Sequence, residues 1–303
     1  MNEFTRRELV MMSAAGVALA QKPTRPPGVV IETHVHMFAD DQSRFPLHPN
    51  SPYKLGVQPV EKYVEFVRQV RLDHTIIVHP EPYQDDHRYL EYCFEHEPSR
   101  GYFKGTCLFD PIAPETPGRM EALVKKHPGR IVALRVHEWR QDCKVPPTTT
   151  GPICDRDMRS PAMLTTWRKA HSLGLAIQMH FLPCYAGQIY ALASQLKELP
   201  VVLDHLGRVW MGTPMDYEQV LRLADLPRVF MKFSAVPSSS DMDPLVRRCF
   251  QAFGADRMIW GSLGATPEAF ERSVARFEKL FAFASESDRA KIRGLNAVRL
   301  FNF

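Results

Sequence analysis

Several large classes of function are excluded by what this chain lacks. Its six cysteines (Cys93, Cys107, Cys143, Cys154, Cys184 and Cys249) form no Cys-x-x-Cys pair, which removes zinc ribbons and thioredoxin-type redox motifs. A formal charge of +4 on 303 residues is small. Lysines and arginines are scattered among acids rather than gathered in a block, so no surface for nucleic acid is expected. No Gly-x-Gly-x-x-Gly follows the first apolar run downstream of residue 28, which argues against an open, dinucleotide-binding sheet. The apolar run from Leu9 to Ala20 is too short to anchor the chain stably in a bilayer.

That run has a different reading. Thr5-Arg6-Arg7 precedes it and Ala18-Leu19-Ala20 closes it, the pattern of a twin-arginine-type signal peptide over residues 1–20, cleaved near Gln21. A periplasmic or secreted protein follows, or a cytoplasmic one if the signal is not functional, with no membrane contact after cleavage. A Pro-rich leader over residues 21–28 then leads into one domain, residues 29–303. The cysteines are read as buried thiols, although in an oxidising compartment Cys143 and Cys154 could close a short loop as a disulfide.

Eight short apolar runs punctuate the rest: Val29 to His36, Thr75 to Pro80, Tyr102 to Phe109, Ile131 to His137, Leu175 to His180, Val201 to His205, Val229 to Ser234 and Met258 to Ser262. Near-continuous apolar runs are what strands covered on both faces require. Amphipathic stretches lie between them, such as Val60 to Arg71, Met120 to Lys126, Met163 to Leu173 and Pro244 to Phe253. Alternation of this kind predicts an α/β fold, a (β/α)8 TIM barrel. The longest irregular stretches, Met37 to Val57 and Trp139 to Ser160, follow the first and fourth strands, and are expected to roof the mouth of the barrel.

Chemistry-bearing residues fall at the strand ends, where barrel enzymes keep their sites. The first strand carries Glu32-Thr33-His34-Val35-His36, and two-residue periodicity places Glu32, His34 and His36 on one face. His180 ends the fifth run, Asp204-His205 the sixth, and Lys232 lies in the seventh. Arg135 and His137 end the fourth, with Trp139 and Arg140 beyond them as possible substrate contacts, and His79 with Glu81 after the second could also point into the pocket.

Together these segments resemble the amidohydrolase-related family, the branch of the amidohydrolase superfamily with lactonases acting on 2-pyrone-4,6-dicarboxylate and on sugar lactones, and related decarboxylases. The resemblance rests on Glu-Thr-His-Val-His at 32–36, Gln-Met-His at 178–180, Leu-Asp-His-Leu-Gly-Arg at 203–208, Met-Lys-Phe-Ser at 231–234, Ile-Trp-Gly-Ser at 259–262 and Gly-Leu-Asn-Ala-Val-Arg-Leu-Phe at 294–301. It implies that His34, His36 and His180 are the core of the site, either as ligands of one divalent metal, zinc or manganese, or as direct contacts in a metal-free pocket. His205 and Asp204 stand beside them as catalytic candidates, and Arg135, His137, Arg140, Arg208 and Lys232 as contacts for a small-molecule substrate.

Two departures from the family pattern matter. Glu32 replaces the usual Asp, and Leu263 stands where the eighth strand normally ends in Gly-Ser-Asp; nothing acidic lies between Gly261 and Pro267. The missing aspartate is the family's water-activating base, and a leucine cannot hold a proton. Glu32 is the alternative base, if it is not too deep. The leading expectation is a hydrolase that opens a lactone or similar cyclic ester of a small anionic compound. The alternatives are a non-oxidative decarboxylase of aromatic acids, or a small-molecule-binding pseudoenzyme that has given up turnover with the loss of the acid.

Overall fold

Strand follows helix from β1 to β8 in the computed structural model, which describes residues 25–51, 53, 56–140, 143–238 and 242–303. The signal peptide expected over residues 1–20 lies outside the described residues. The strands are β1 (Ile31–Val35), β2 (His74–Ile77), β3 (Phe103–Cys107), β4 (Ile131–Glu138), β5 (Ala176–Phe181), β6 (Val201–Leu203), β7 (Val229–Phe233) and β8 (Met258–Trp260). All neighbouring pairs are parallel and the order in the sheet is the order in the chain. This is a single (β/α)8 barrel, and each of the eight apolar runs contributes one strand.

The helices are α1 (Val60–Val70), α2 (Arg88–Glu95), α3 (Thr116–Lys126), α4 (Pro161–Ser172), α5 (Ala186–Ala193), α6 (Pro214–Arg222), α7 (Met242–Phe253) and α8 (Pro267–Leu280), followed by α9 (Glu286–Ala290) and α10 (Asn296–Phe301). Local chemistry sets their starts. Thr213 and Asp216 cap α6 reciprocally, and the Ser160 and Thr266 side chains accept backbone N–H groups opening α4 and α8. Helices α1 to α8 each bury apolar residues in the layer around the sheet, while α9 buries none.

Inside the barrel, Ile31, Ile76, Val202, Phe230 and Ile259 form an apolar floor closed from below by Ala297 and Phe301 of α10. Buried apolar area of this kind stabilises by roughly 25 cal/mol per Å². Lys104, beside Ile76 in the β2–β3 ladder, is a polar member of this layer and donates down to the Phe301 and Asn302 carbonyls at 2.7 and 2.8 Å; the histidines lie in the layers above.

The seam between β8 and β1 is joined by side chains. The Thr33 hydroxyl donates to the Trp260 carbonyl at 2.6 Å, and the Ser262 N–H donates to both carboxylate oxygens of Glu32 at 2.8 and 3.0 Å. The Ser262 hydroxyl also bonds Glu32. A Cβ at Gly261 would come within 2.8 Å of the His34 Cβ, so glycine is what lets the strands close there.

Two expectations are corrected by this frame. The β1 ladder slips between Glu32 and Val35, and a bulge breaks the two-residue alternation. Glu32 therefore does not share the pocket face with His34 and His36; its carboxylate is spent on the seam. The disulfide joins Cys143 to Cys184, with Cα atoms 6.3 Å apart, while Cys154 is free. Cys143 reaches across to the turn after β5, so closeness in sequence to Cys154 was the wrong guide.

Candidate active site

Five imidazoles line one arc across the C-terminal rim. Successive ring centroids are 5.0 Å apart from His137 (β4) to His180 (β5), 5.3 Å to His205 (after β6), 4.7 Å to His34 (β1) and 5.1 Å to His36 just beyond β1. Register accounts for part of this: His137 sits directly beside His180 in the β4–β5 ladder. His36 and His180 are the partly exposed members; the other three are buried.

A strained turn delivers the β6 residues. His205, Leu206, Gly207 and Arg208 have φ of 56°, 53°, 59° and 48°, a left-handed turn costing roughly 1–2 kcal/mol for each non-glycine residue. A Cβ at Gly207 would also meet Val220 at 2.7 Å. Strain of this size persists where the surroundings over-determine it, commonly at working sites. Here it turns Asp204 and His205 inward and returns Arg208 over the rim. Leu263 is held at φ 56° at the same end of the barrel.

Burial holds the ring nitrogens in their neutral form. Desolvation, reinforced by the Arg135 guanidinium, pulls His36 down to about 3, and desolvation also pulls His205 down to about 3. His34 and His180 are likewise driven well below the usual histidine range by burial. Asp204 moves the other way from an ordinary buried acid. Burial raises it, but Lys232 at 3.2 Å and His34 at 3.5 Å more than offset that, and the carboxylate stays ionised.

His34, Asp204 and His205 form the one group of potential metal donors among the described residues, with donor atoms within 4.8 Å of one another. Both ring nitrogens of His34 are buried without a hydrogen bond, and Asp204 Oδ1 has no hydrogen-bond donor. His205 Nδ1 is engaged by the Ser234 hydroxyl at 2.9 Å, which leaves Nε2 free. Orphaned imidazole nitrogens beside a carboxylate fit a divalent ion. This differs from the expected trio of His34, His36 and His180. His180 Nε2 accepts from the Arg208 guanidinium at 2.7 Å and its Nδ1 lies 3.2 Å from His137 Nδ1, so both nitrogens are occupied. His36 Nδ1 is held by the Val78 carbonyl at 2.8 Å.

The remaining candidates divide. Arg135 lies in the pocket, 3.7 Å from Asp204 Oδ2, with its Nε unpartnered. Arg208 stacks over Trp139 at 4.2 Å, and Trp139 in turn stacks on His180 at 4.8 Å. Lys232 is fully buried beneath Asp204 and donates to the Thr33 carbonyl, so it neutralises Asp204 instead of meeting substrate. Arg140 bonds Glu138 at 2.8 Å over the Tyr185 ring, on the outer face of β4, away from the pocket. His79 bonds the Gln84 carbonyl and packs on His87 behind the rim.

Sequence reasoning placed Glu81 near the pocket only as a companion of His79 and did not single out Tyr53. Glu81 Oε1 lies 2.8 Å from His137 Nδ1, and Tyr53, from the long loop after β1, helps hold the Glu81 carboxylate in its ionised form. Glu81 follows the end of β2 by four residues, and this strand-end position was the available signal.

Comparison with known proteins agrees with the architecture. The family model described as Amidohydrolase matches residues 31–303, and the chain belongs to that family. It is 25% identical to the 4-sulfomuconolactone hydrolase of Hydrogenophaga intermedia, over 91% of this chain and 89% of that protein. A probable 2-pyrone-4,6-dicarboxylic acid hydrolase from Acinetobacter baumannii, crystallised with citric acid, superposes with a TM-score of 0.70 at 20% identity, covering 90% of this chain and 99% of that one. A dihydroxybenzoic acid decarboxylase from Polaromonas sp., with manganese and 2-nitroresorcinol bound, gives 0.63 at 16% identity, covering 91% and 97%.

Proposed function

We propose that this protein hydrolyses a lactone or similar cyclic ester of a small anionic compound. The observation that carries the reading is the meeting of two guanidiniums, Arg135 and Arg208, with a row of neutral imidazoles at the rim. Guanidiniums recognise carboxylates through paired, charge-assisted hydrogen bonds. Arg208 holds a neutral ring nitrogen, the Met211 sulfur and the Trp139 face but no carboxylate, and these are weaker partners than a substrate anion, so binding draws it from His180 and frees His180 Nε2 to face the ester. Trp139 stacks across His180 and limits water there. Zinc or manganese, held by His34, Asp204 and His205, would add Lewis acidity toward the carbonyl. In a metal-free site Lys232 and Arg135 already balance the charge of Asp204. The likeness to a 4-sulfomuconolactone hydrolase supports the same reaction class.

A second reading rests on Leu263, which puts an aliphatic side chain where an acid would serve as base: a small-molecule-binding protein without turnover. Decarboxylation of an aromatic acid remains the alternative chemistry on this fold. The test is a panel of sugar and aromatic-pathway lactones followed by pH indicator, with carbon dioxide release from hydroxybenzoates beside it, on wild type and Leu263→Asp. Lactone opening by wild type supports the proposal. Opening only by the variant identifies a retired enzyme, and carbon dioxide release without lactone opening identifies the decarboxylase. The reading extends to export, which the leader and the Cys143–Cys184 disulfide support.

A further inference from the structure

Leu263 removes the acid expected to take a proton from water, Asp204 is committed to Lys232, and Glu32 is committed to the β1–β8 seam. At the rim, among the described residues, one carboxylate–imidazole pair is left. Glu81 and His137 come from different strand ends, 2.8 Å apart, with the imidazole buried and the carboxylate mostly so. On the opposite edge of the ring, His137 Nε2 is buried with no hydrogen-bond partner. Arg135 and His137 share one face of β4, two residues apart, so this free nitrogen belongs to the layer that carries the substrate-facing guanidinium.

We infer that His137 is the general base of the lactone hydrolysis proposed above, and that Glu81 is its positioning residue. The inference rests on that hydrolase reading.

Proton bookkeeping selects the pair. His137 Nδ1 carries at most one hydrogen and has two neighbours, Glu81 Oε1 at 2.8 Å and His180 Nδ1 at 3.2 Å. A hydrogen bond to an ionised carboxylate is roughly twice as strong as a neutral one. Glu81 is ionised: burial pushes it up, but His137 and Arg135 more than offset this and bring it down to about 2. His180, accepting from Arg208 at Nε2, carries its own hydrogen on Nδ1, and the two donors compete for one place. Leaving the ionised carboxylate against a lone pair costs more than losing the neutral bond from His180, so the His137 Nδ1 hydrogen goes to Glu81 and the lone pair is fixed on Nε2. A carboxylate that holds an imidazole in this tautomer and stabilises its protonated form is the arrangement that activates nucleophiles in hydrolases.

The reaction balances without another reactant. The oxygen of water bonds to the lactone carbonyl carbon as its proton passes to His137 Nε2. When the tetrahedral adduct collapses, the ring C–O bond breaks and the departing oxygen takes the proton from Nε2. His137 returns neutral, and the new carboxyl group loses its proton to solvent.

The test combines kinetics with histidine-ring NMR on the full chain. His137→Gln and His137→Asn should lower kcat by about 10²–10⁴-fold with KM changed only a few-fold, as loss of a base does. Glu81→Gln should lower kcat by less, and Glu81→Asp should recover part of it, which a merely structural carboxylate would not do. In wild type the His137 ring should be the Nδ1–H tautomer, and Glu81→Gln should weaken that preference. Either His137 variant retaining kcat within a few-fold overturns the inference while leaving the hydrolase reading intact. So does an Nε2–H tautomer, with Nδ1 accepting from His180. Wild type that opens no lactone, yet shows the Nδ1–H tautomer, overturns the hydrolase reading and with it the role of His137 as base.

Discussion

Lys232 Nζ lies 3.2 Å from Asp204 Oδ1, and neither side chain is exposed. Removing one member of a buried ion pair strands the other charge, at a cost of roughly 3–5 kcal/mol. Lys232→Met should therefore lower the urea midpoint sharply, and the double variant Lys232→Met with Asp204→Asn should recover part of the loss. A Lys232→Met protein as stable as wild type would show that Asp204 is neutral without its lysine.

Metal binding should follow the donor geometry. Protein loaded with zinc or manganese and desalted should retain about one equivalent by elemental analysis, consistent with one cluster of donors. His34→Ala and His205→Ala should lose it. His180→Ala should keep it, because Arg208 and His137 occupy both of its nitrogens. Loss of metal from His180→Ala would restore the β5 histidine as a ligand.

Acid should find Glu81. Its folded-state value is about 2 against an ordinary 4.5, because His137 and Arg135 outweigh the burial that raises it. A depressed acid contributes stability that is fully present above about pH 4.5 and lost as pH falls toward 2. The shift corresponds to something on the order of 3 kcal/mol. Glu81→Gln should be less stable than wild type at pH 7, and denaturant melts of the two should converge near pH 2–3. A gap independent of pH would assign the effect to packing.

Non-reducing peptide mapping should recover a Cys143–Cys184 crosslink and four free thiols, at Cys93, Cys107, Cys154 and Cys249. The crosslink spans 41 positions, and chain entropy values a loop of that size at about 4 kcal/mol. Cys143→Ser should cost up to that amount under oxidising conditions and little under reducing ones. A Cys143–Cys154 peptide would contradict the fold of this loop.

The barrel was legible because its strands are covered on both faces and so are written as apolar runs, six of the eight ended by a polar residue that marks the rim. Residues at those ends, His34, His180, Asp204 and His205, could be picked out one strand at a time. Glu32 was placed on the wrong face because a one-residue slip in β1 reverses the alternation beyond it, and nothing in Glu-Thr-His-Val-His announces a bulge. Arg140 and Lys232 carry the right charge for an anionic substrate, but each is claimed by a nearer acid, Glu138 or Asp204.

From the sequence alone came the architecture, the family likeness and the absence of an acid after Ser262, since periodicity and strand-end identity are local properties of the chain. Only the tertiary structure decided which groups are partners. His137 and Glu81 stand 56 positions apart, on β4 and after β2 with β3 between them, and meet because the barrel's curvature turns these strand ends toward one another. Contacts made through closure depend on register and twist, which no short stretch of sequence encodes.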